Sequence, residues 1–149
     1  MITYQSEDAK LPNISKRQTT NWIKTIAQQY DRKIGDVNYI FCSDEKILEI
    51  NREYLQHDYY TDIITFDYSE PEVFRPQGEK NDKISGDIFI SLDTVTSNAE
   101  KFKVSFEQEL HRVIIHGILH LCGQKDKSPA DRAEMTRKEE DALRQLNHL

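Results

Sequence analysis

Apolar residues recur along the chain at two spacings, and the switches between them mark out the elements. ITYQ, residues 2–5, is short and β-prone, and the turn LPNIS after it offers Asn13 or Ser15 as a helix N-cap. Trp22, Ile23, Ile26, Ala27 and Tyr30 then fall three and four apart, predicting an amphipathic helix closed by Gly35. VNYIFC, residues 37–42, is β-branched and aromatic and predicts a strand. From about Asp44 the helical period returns through Ile47, Leu48, Asn51, Tyr54 and Leu55.

DIITFDY (62–68) and GDIFIS (86–91) predict two further strands. The polar stretch SEPEVFRPQGEKNDKI between them holds two prolines and a glycine. It is long for a hairpin connection, and loops of that length are often functional. A third helix is predicted from about Asp93, with Val95, Ala99 and Phe102 inward. Ser105 and Gln108 have the spacing of a capping box, which opens a fourth helix. Ser128 and Pro129 supply an N-cap and an N1 proline for a last helix to about Leu146. Strands early and helices late predict an α+β protein, a small sheet backed by helices.

At 149 residues the chain fits one domain, 1–149, around a single core. Charged residues make up 31% and hydrophobic ones 37%, with no run near the roughly 18 apolar residues of a bilayer span. MITYQSEDAK lacks the basic and apolar regions of a signal peptide, so the expected location is the cytoplasm. Cys42 and Cys122 sit in the apolar contexts YIFCS and LHLCG and read as free thiols. The net charge of -6 weighs against indiscriminate nucleic-acid binding, so any such contact must come from a local basic patch.

The chemistry concentrates in HGILHLCGQKD, residues 116–126. His116 and His120 are four apart, so on a helix they project from one face and can share a metal ion. Gly123 falls where a helix can end in a left-handed turn, after which Asp126 can return as a third ligand. The flanking Val113, Ile114, Ile115, Ile118, Leu119 and Leu121 are apolar, a setting in which unpaired imidazoles are costly. The alternative is a pair of histidines without a ligand role. Three protein ligands with water completing the shell suit one divalent transition metal per chain, zinc first. The residue after His116 is Gly117, so the general-base glutamate of H-E-x-x-H peptidases is missing. That disfavours a peptidase and suits phosphodiester hydrolysis, where the metal also neutralises phosphate charge.

NREYLQHDYYTDIITF (51–66), GDIFIS (86–91) and HGILHLCGQKD (116–126) together resemble the YbeY family, and the resemblance covers nearly the whole chain. It implies a zincin-like α+β fold with a mixed sheet of about four strands. It also implies a metal-dependent endoribonuclease, specific for single strands, acting in ribosomal RNA maturation and ribosome quality control. The implied partners are ribosomal RNA and the ribosome or its assembly proteins. Two positions depart from the family's pattern: its third histidine falls on Asp126, and its arginine in the N-R-E-Y-L segment falls on Leu55. Arg52, one helical turn from Leu55, is a catalytic candidate or else a surface charge.

Glu139 lies on the apolar face of the last helix and is a second candidate, as a partner for the outer nitrogen of a ligand histidine. Lys125, Lys127 and Arg132 are the RNA-binding candidates, with Arg137 and Lys138 beyond them and Lys101, Lys103 and Arg112 as an extension; solvated lysines and arginines are the alternative. His111, His57 and His148 have no partner pattern. Thr61–Asp62 matches the family or simply ends a helix, and Asp87 reads as a strand-edge hydrogen-bond partner. Besides the nuclease, two other functions fit: a non-catalytic assembly factor with a structural metal, and a small metallopeptidase.

Overall fold

The computed structural model describes residues 1–55, 61–69 and 82–147. In chain order these form β1 (Ile2–Ser6), α1 (Lys16–Gln29), β2 (Lys33–Cys42), α2 (Asp44–Tyr54), β3 (Ile63–Asp67), β4 (Lys83–Ser91), α3 (Leu92–Phe102), α4 (Phe106–Leu121) and α5 (Pro129–Leu146). The four strands make one sheet in the order β1-β2-β4-β3. β1 and β4 run parallel to β2, and β3 runs antiparallel to β4 along the edge. This is the α+β architecture that the residue pattern predicts, with the mixed four-stranded sheet that the resemblance implies.

Each of the five described helices opens on a serine: Ser15, Ser43, Ser91, Ser105 and Ser128. In every case the hydroxyl accepts from the backbone N–H three residues on, satisfying a donor that the helix itself cannot. At Ser105 the Gln108 side chain reciprocates, completing the capping box.

α4 is the spine of the core. Val113, Ile114, Ile118 and Leu121 on it join Val37, Tyr39 and Phe41 of β2 and Ile84, Ile88 and Ile90 of β4 in one buried cluster. Two long-range hydrogen bonds pin this layer. Tyr39 donates its hydroxyl to the Ile114 carbonyl at 2.9 Å, and Trp22 Nε1 donates to the Ala142 carbonyl at 2.8 Å. Alternate residues of the strands point the other way, where Cys42 and Ile64 pack with Ile47 and Ile50 of α2 in a second cluster. The sheet is therefore covered on both faces, and β3 carries its outer edge beside the C-terminal half of α4.

Several local expectations differ from the structure. α1 ends at Gln29, before Gly35, because Asp31 adopts the left-handed conformation at φ 59°. The N–H of Arg32 returns to the Ala27 carbonyl and that of Asp31 to Gln28, the paired bonds of a Schellman turn. Gly35 instead lies inside β2. α2 buries Ile47, Ile50 and Asn51, while Tyr54 is 63% exposed, so its inner face is rotated from the predicted one. Phe102 is 56% exposed rather than inward, since α3 stops there and Lys103 turns left-handed. Asp87 is on the inner strand β4, not at a strand edge; it accepts from Asn38 Nδ2 at 3.0 Å. Most of the long polar loop, His57 and His148 lie outside the described residues.

Candidate metal centre

His116 and His120 occupy one face of α4 at its C-terminal end, with ring centroids 4.5 Å apart and planes nearly perpendicular at 84°. The helix can bring this face against β3 because residue 117 has no side chain. A Cβ on Gly117 would meet Ile88 Cδ1 at 3.0 Å and Ile63 Cδ1 at 3.2 Å. The first carbon of a glutamate there would already crowd these two isoleucines.

Gly123, at φ 101°, then reverses the chain. Its N–H bonds the His120 carbonyl at 2.9 Å, and that of Gln124 bonds Leu119 at 3.0 Å, again a Schellman turn. The reversal returns Asp126 to the histidines: its Oδ2 is 3.1 Å from His120 Nε2 and 3.4 Å from His116 Nε2. One ligand atom from each of the three residues lies within 4.8 Å of the others.

The outer nitrogens are already taken. His116 Nδ1 is 2.6 Å from Glu139 Oε2, and His120 Nδ1 is 3.0 Å from the Gln124 carbonyl. Both partners are acceptors, so each ring carries its proton on Nδ1 and turns the Nε2 lone pair inward. In the neutral rings two lone pairs and a carboxylate oxygen then converge, with His120 Nε2 and Asp126 Oδ2 already within hydrogen-bond reach. A divalent cation would take up both lone pairs and the carboxylate together. The separations of 3.1 and 3.4 Å also match the roughly 3.3 Å between ligand atoms each about 2.0–2.1 Å from one tetrahedral ion. The residues fit a divalent metal.

Around this point an open cleft of about 600 Å³ runs along β3. Asn51 of α2 and Leu55 at its C-cap, Asp62 ahead of β3, Thr65 and Asp67 on β3, and Lys127 line it with the three candidate ligands. Burial raises the Asp62 carboxyl above its usual range, with Glu139 adding to this and the nearby His116 opposing it. For His116 burial pulls the pKa down, but the hydrogen bond and charge of Glu139, aided by Asp62 and Asp126, outweigh it; the net shift is upward.

The candidate residues thus divide. His116, His120 and Asp126 come together, and Glu139, only 7% exposed, stands directly behind His116. Among the described residues lining the cleft, α2 and its C-cap contribute Asn51 and Leu55 but not Arg52, which is exposed. Of the basic candidates only Lys127 borders the cleft. Arg132 Nη1 donates to the Lys127 carbonyl at 2.7 Å, and Lys125 is exposed on the turn. Arg137 pairs with Glu134, Lys138 lies 4.8 Å over the Tyr30 ring, and Arg112 is bound to Glu139. His111 packs edge-on against Trp22. Asp62 is the residue underrated from sequence; its only signal there is the Thr61–Asp62 match within the second motif.

The family profile described as Endoribonuclease YbeY matches residues 1–147. A relative from Phocaeicola vulgatus named Endoribonuclease YbeY is 59% identical over 143 residues, 96% of each chain. One of the same name from Porphyromonas gingivalis is 50% identical, over 95% of this chain and 87% of its own. A solution structure of a Thermotoga maritima protein superimposes with a TM-score of 0.65 at 28% identity, over 98% of this chain and 89% of the other. Sequence and fold agree over nearly the full length, and the chain belongs to the YbeY endoribonuclease family.

Proposed function

We propose that this chain is a metal-dependent endoribonuclease that cuts single-stranded RNA during ribosomal RNA maturation and ribosome quality control. In this reading it works in the cytoplasm as one domain, 1–149, with ribosomal RNA and the ribosome or its assembly proteins as partners. The observation that carries it is the convergence of His116 Nε2, His120 Nε2 and Asp126 Oδ2 with both Nδ1 atoms already engaged. The relatives' shared name, Endoribonuclease YbeY, supports the reaction class.

His116, His120 and Asp126 would hold one divalent ion, zinc by the preference of nitrogen-rich sites. Such an ion, when bound, supplies Lewis acidity at the scissile phosphate and makes water a competent nucleophile near neutral pH. The protein supplies the rest. Glu139 and the Gln124 carbonyl hold the imidazoles in the ligating tautomer. Lys127 faces the cleft where a phosphate would lie. Asp62, with its raised pKa at the cleft wall, is the carboxyl placed to hold or return a proton. A peptidase is not favoured, since the position that would carry its base is packed against Ile88.

The test combines metal analysis with cleavage of single-stranded ribosomal RNA. The purified protein should carry about one divalent metal per chain, lost together with cleavage in His116→Ala/His120→Ala. Asp62→Asn should keep the metal and lose about 10²–10⁴-fold in rate. Metal retained in the double histidine variant sinks the site, and cleavage of casein but not RNA sinks the reaction.

A further inference from the structure

Behind His116 the chain of contacts continues one step further than a ligand and its carboxylate. Glu139, on α5, uses both oxygens: Oε2 faces His116 Nδ1 at 2.6 Å, and Oε1 accepts from Arg112 Nη1 at 3.0 Å. Arg112 and His116 are four apart on α4, so one carboxylate from the facing helix bridges two successive turns. Glu139 is nearly buried, and the Arg112 guanidinium on its second oxygen keeps the desolvated carboxylate from being left half-paired.

We infer that Arg112 is a positioning residue for the metal centre: it locks the Glu139 carboxylate so that the carboxylate in turn fixes the plane and tautomer of His116. The inference rests on the proposed metal site and adds a residue to it. A carboxylate with one free oxygen can rotate about its terminal bond, and either oxygen can then face the imidazole in several orientations. A guanidinium N–H on Oε1 removes that freedom, because its direction is set by the planar fork of the arginine. Arg112 touches neither RNA nor metal in this arrangement. Its Nη1 is engaged by Glu139, while the side chain stays 32% exposed.

Arg112→Met, Arg112→Lys and Glu139→Gln are compared with the parent for zinc affinity, by competition with a chromophoric chelator. Nitrogen-15 spectra of the histidine rings are recorded on the same zinc-loaded proteins. Arg137→Met, which removes a surface ion pair on α5, is the control. We expect Arg112→Met to bind zinc about 10–100-fold more weakly, as outer partners of metal ligands generally do. The His116 Nδ1–H signal should broaden or shift in this variant and in Glu139→Gln. Arg112→Lys, which keeps the charge without the planar fork, should recover only part of the affinity and leave the His116 signal altered, and Arg137→Met should match the parent. Arg112→Met with parental affinity and an unchanged His116 signal overturns the inference while leaving the metal site standing. A parent that binds no zinc overturns the metal site itself, and this inference with it.

Discussion

Asp126 Oδ2 stands 3.1 Å from His120 Nε2, although the two residues are six apart and the helix carrying His120 has already ended. The left-handed Gly123 makes that approach, and the shorter aspartate reaches because the turn folds tightly back on α4.

Asp126→Ala should therefore lose metal, because two imidazoles alone hold a divalent ion poorly. Asp126→His offers another nitrogen ligand and should bind at least as tightly as the parent. Zinc titration of the three proteins checks this, and unchanged affinity in Asp126→Ala removes the residue from the site.

Gly117→Ala and Gly117→Glu should separate sharply in thermal unfolding. For alanine, contacts of 3.0–3.2 Å to Ile88 Cδ1, its branch methyl Cγ2 and Ile63 Cδ1 oppose a helix-propensity gain of about 1 kcal/mol, and the result should lie near zero. For glutamate, overpacking costs about 1–3 kcal/mol and the carboxylate is buried without a partner, so the total should pass about 3 kcal/mol. In a chain of this length that is a fall of roughly 6–12 °C. A Gly117→Glu protein as stable as the parent would show that α4 can rotate this face away from β3.

Lys127→Ala should weaken single-stranded RNA binding and lower the magnitude of the log–log salt slope by about 0.7, the share of one phosphate contact. Lys125→Ala should change it less, because that side chain is not in the cleft lining. Binding isotherms from low to moderate salt give both slopes. Equal slopes for Lys127→Ala and the parent would move the RNA path elsewhere.

The thiols should be silent in the native protein. Burial pushes Cys42 up to about 12 and Cys122 up to about 11 from an ordinary 9.0. At pH 8 the thiolate fractions fall roughly 1000-fold and 100-fold, so an aromatic disulfide reagent should react far faster in urea than in buffer. A folded pKa above the unfolded one stabilises fully below pH 9, and that stabilisation drains away as pH rises through 11–12. Denaturant midpoints from pH 8 to 11 should decline accordingly. Native thiols that titrate near pH 9 contradict the burial.

Much of this protein is local, and local features are legible in a sequence. Serine caps, the Ser105–Gln108 box, Pro129 and the strand-forming runs act over three or four residues, so the element order and the α+β class follow from them. The same holds for His116, His120, Gly123 and Asp126, which are joined by one helix end and one turn. What crosses between elements is not written in any window. The sequence offers Glu139 as a partner for a ligand histidine, but that it meets His116, that Asp62 reaches the cleft, and that Arg112 holds the second Glu139 oxygen depend on how α4 seats on the sheet. That seating is set by volume: a helix with glycine at 117 can approach Ile63 and Ile88 closely, and only the assembled core decides which carboxylates then stand beside its histidines.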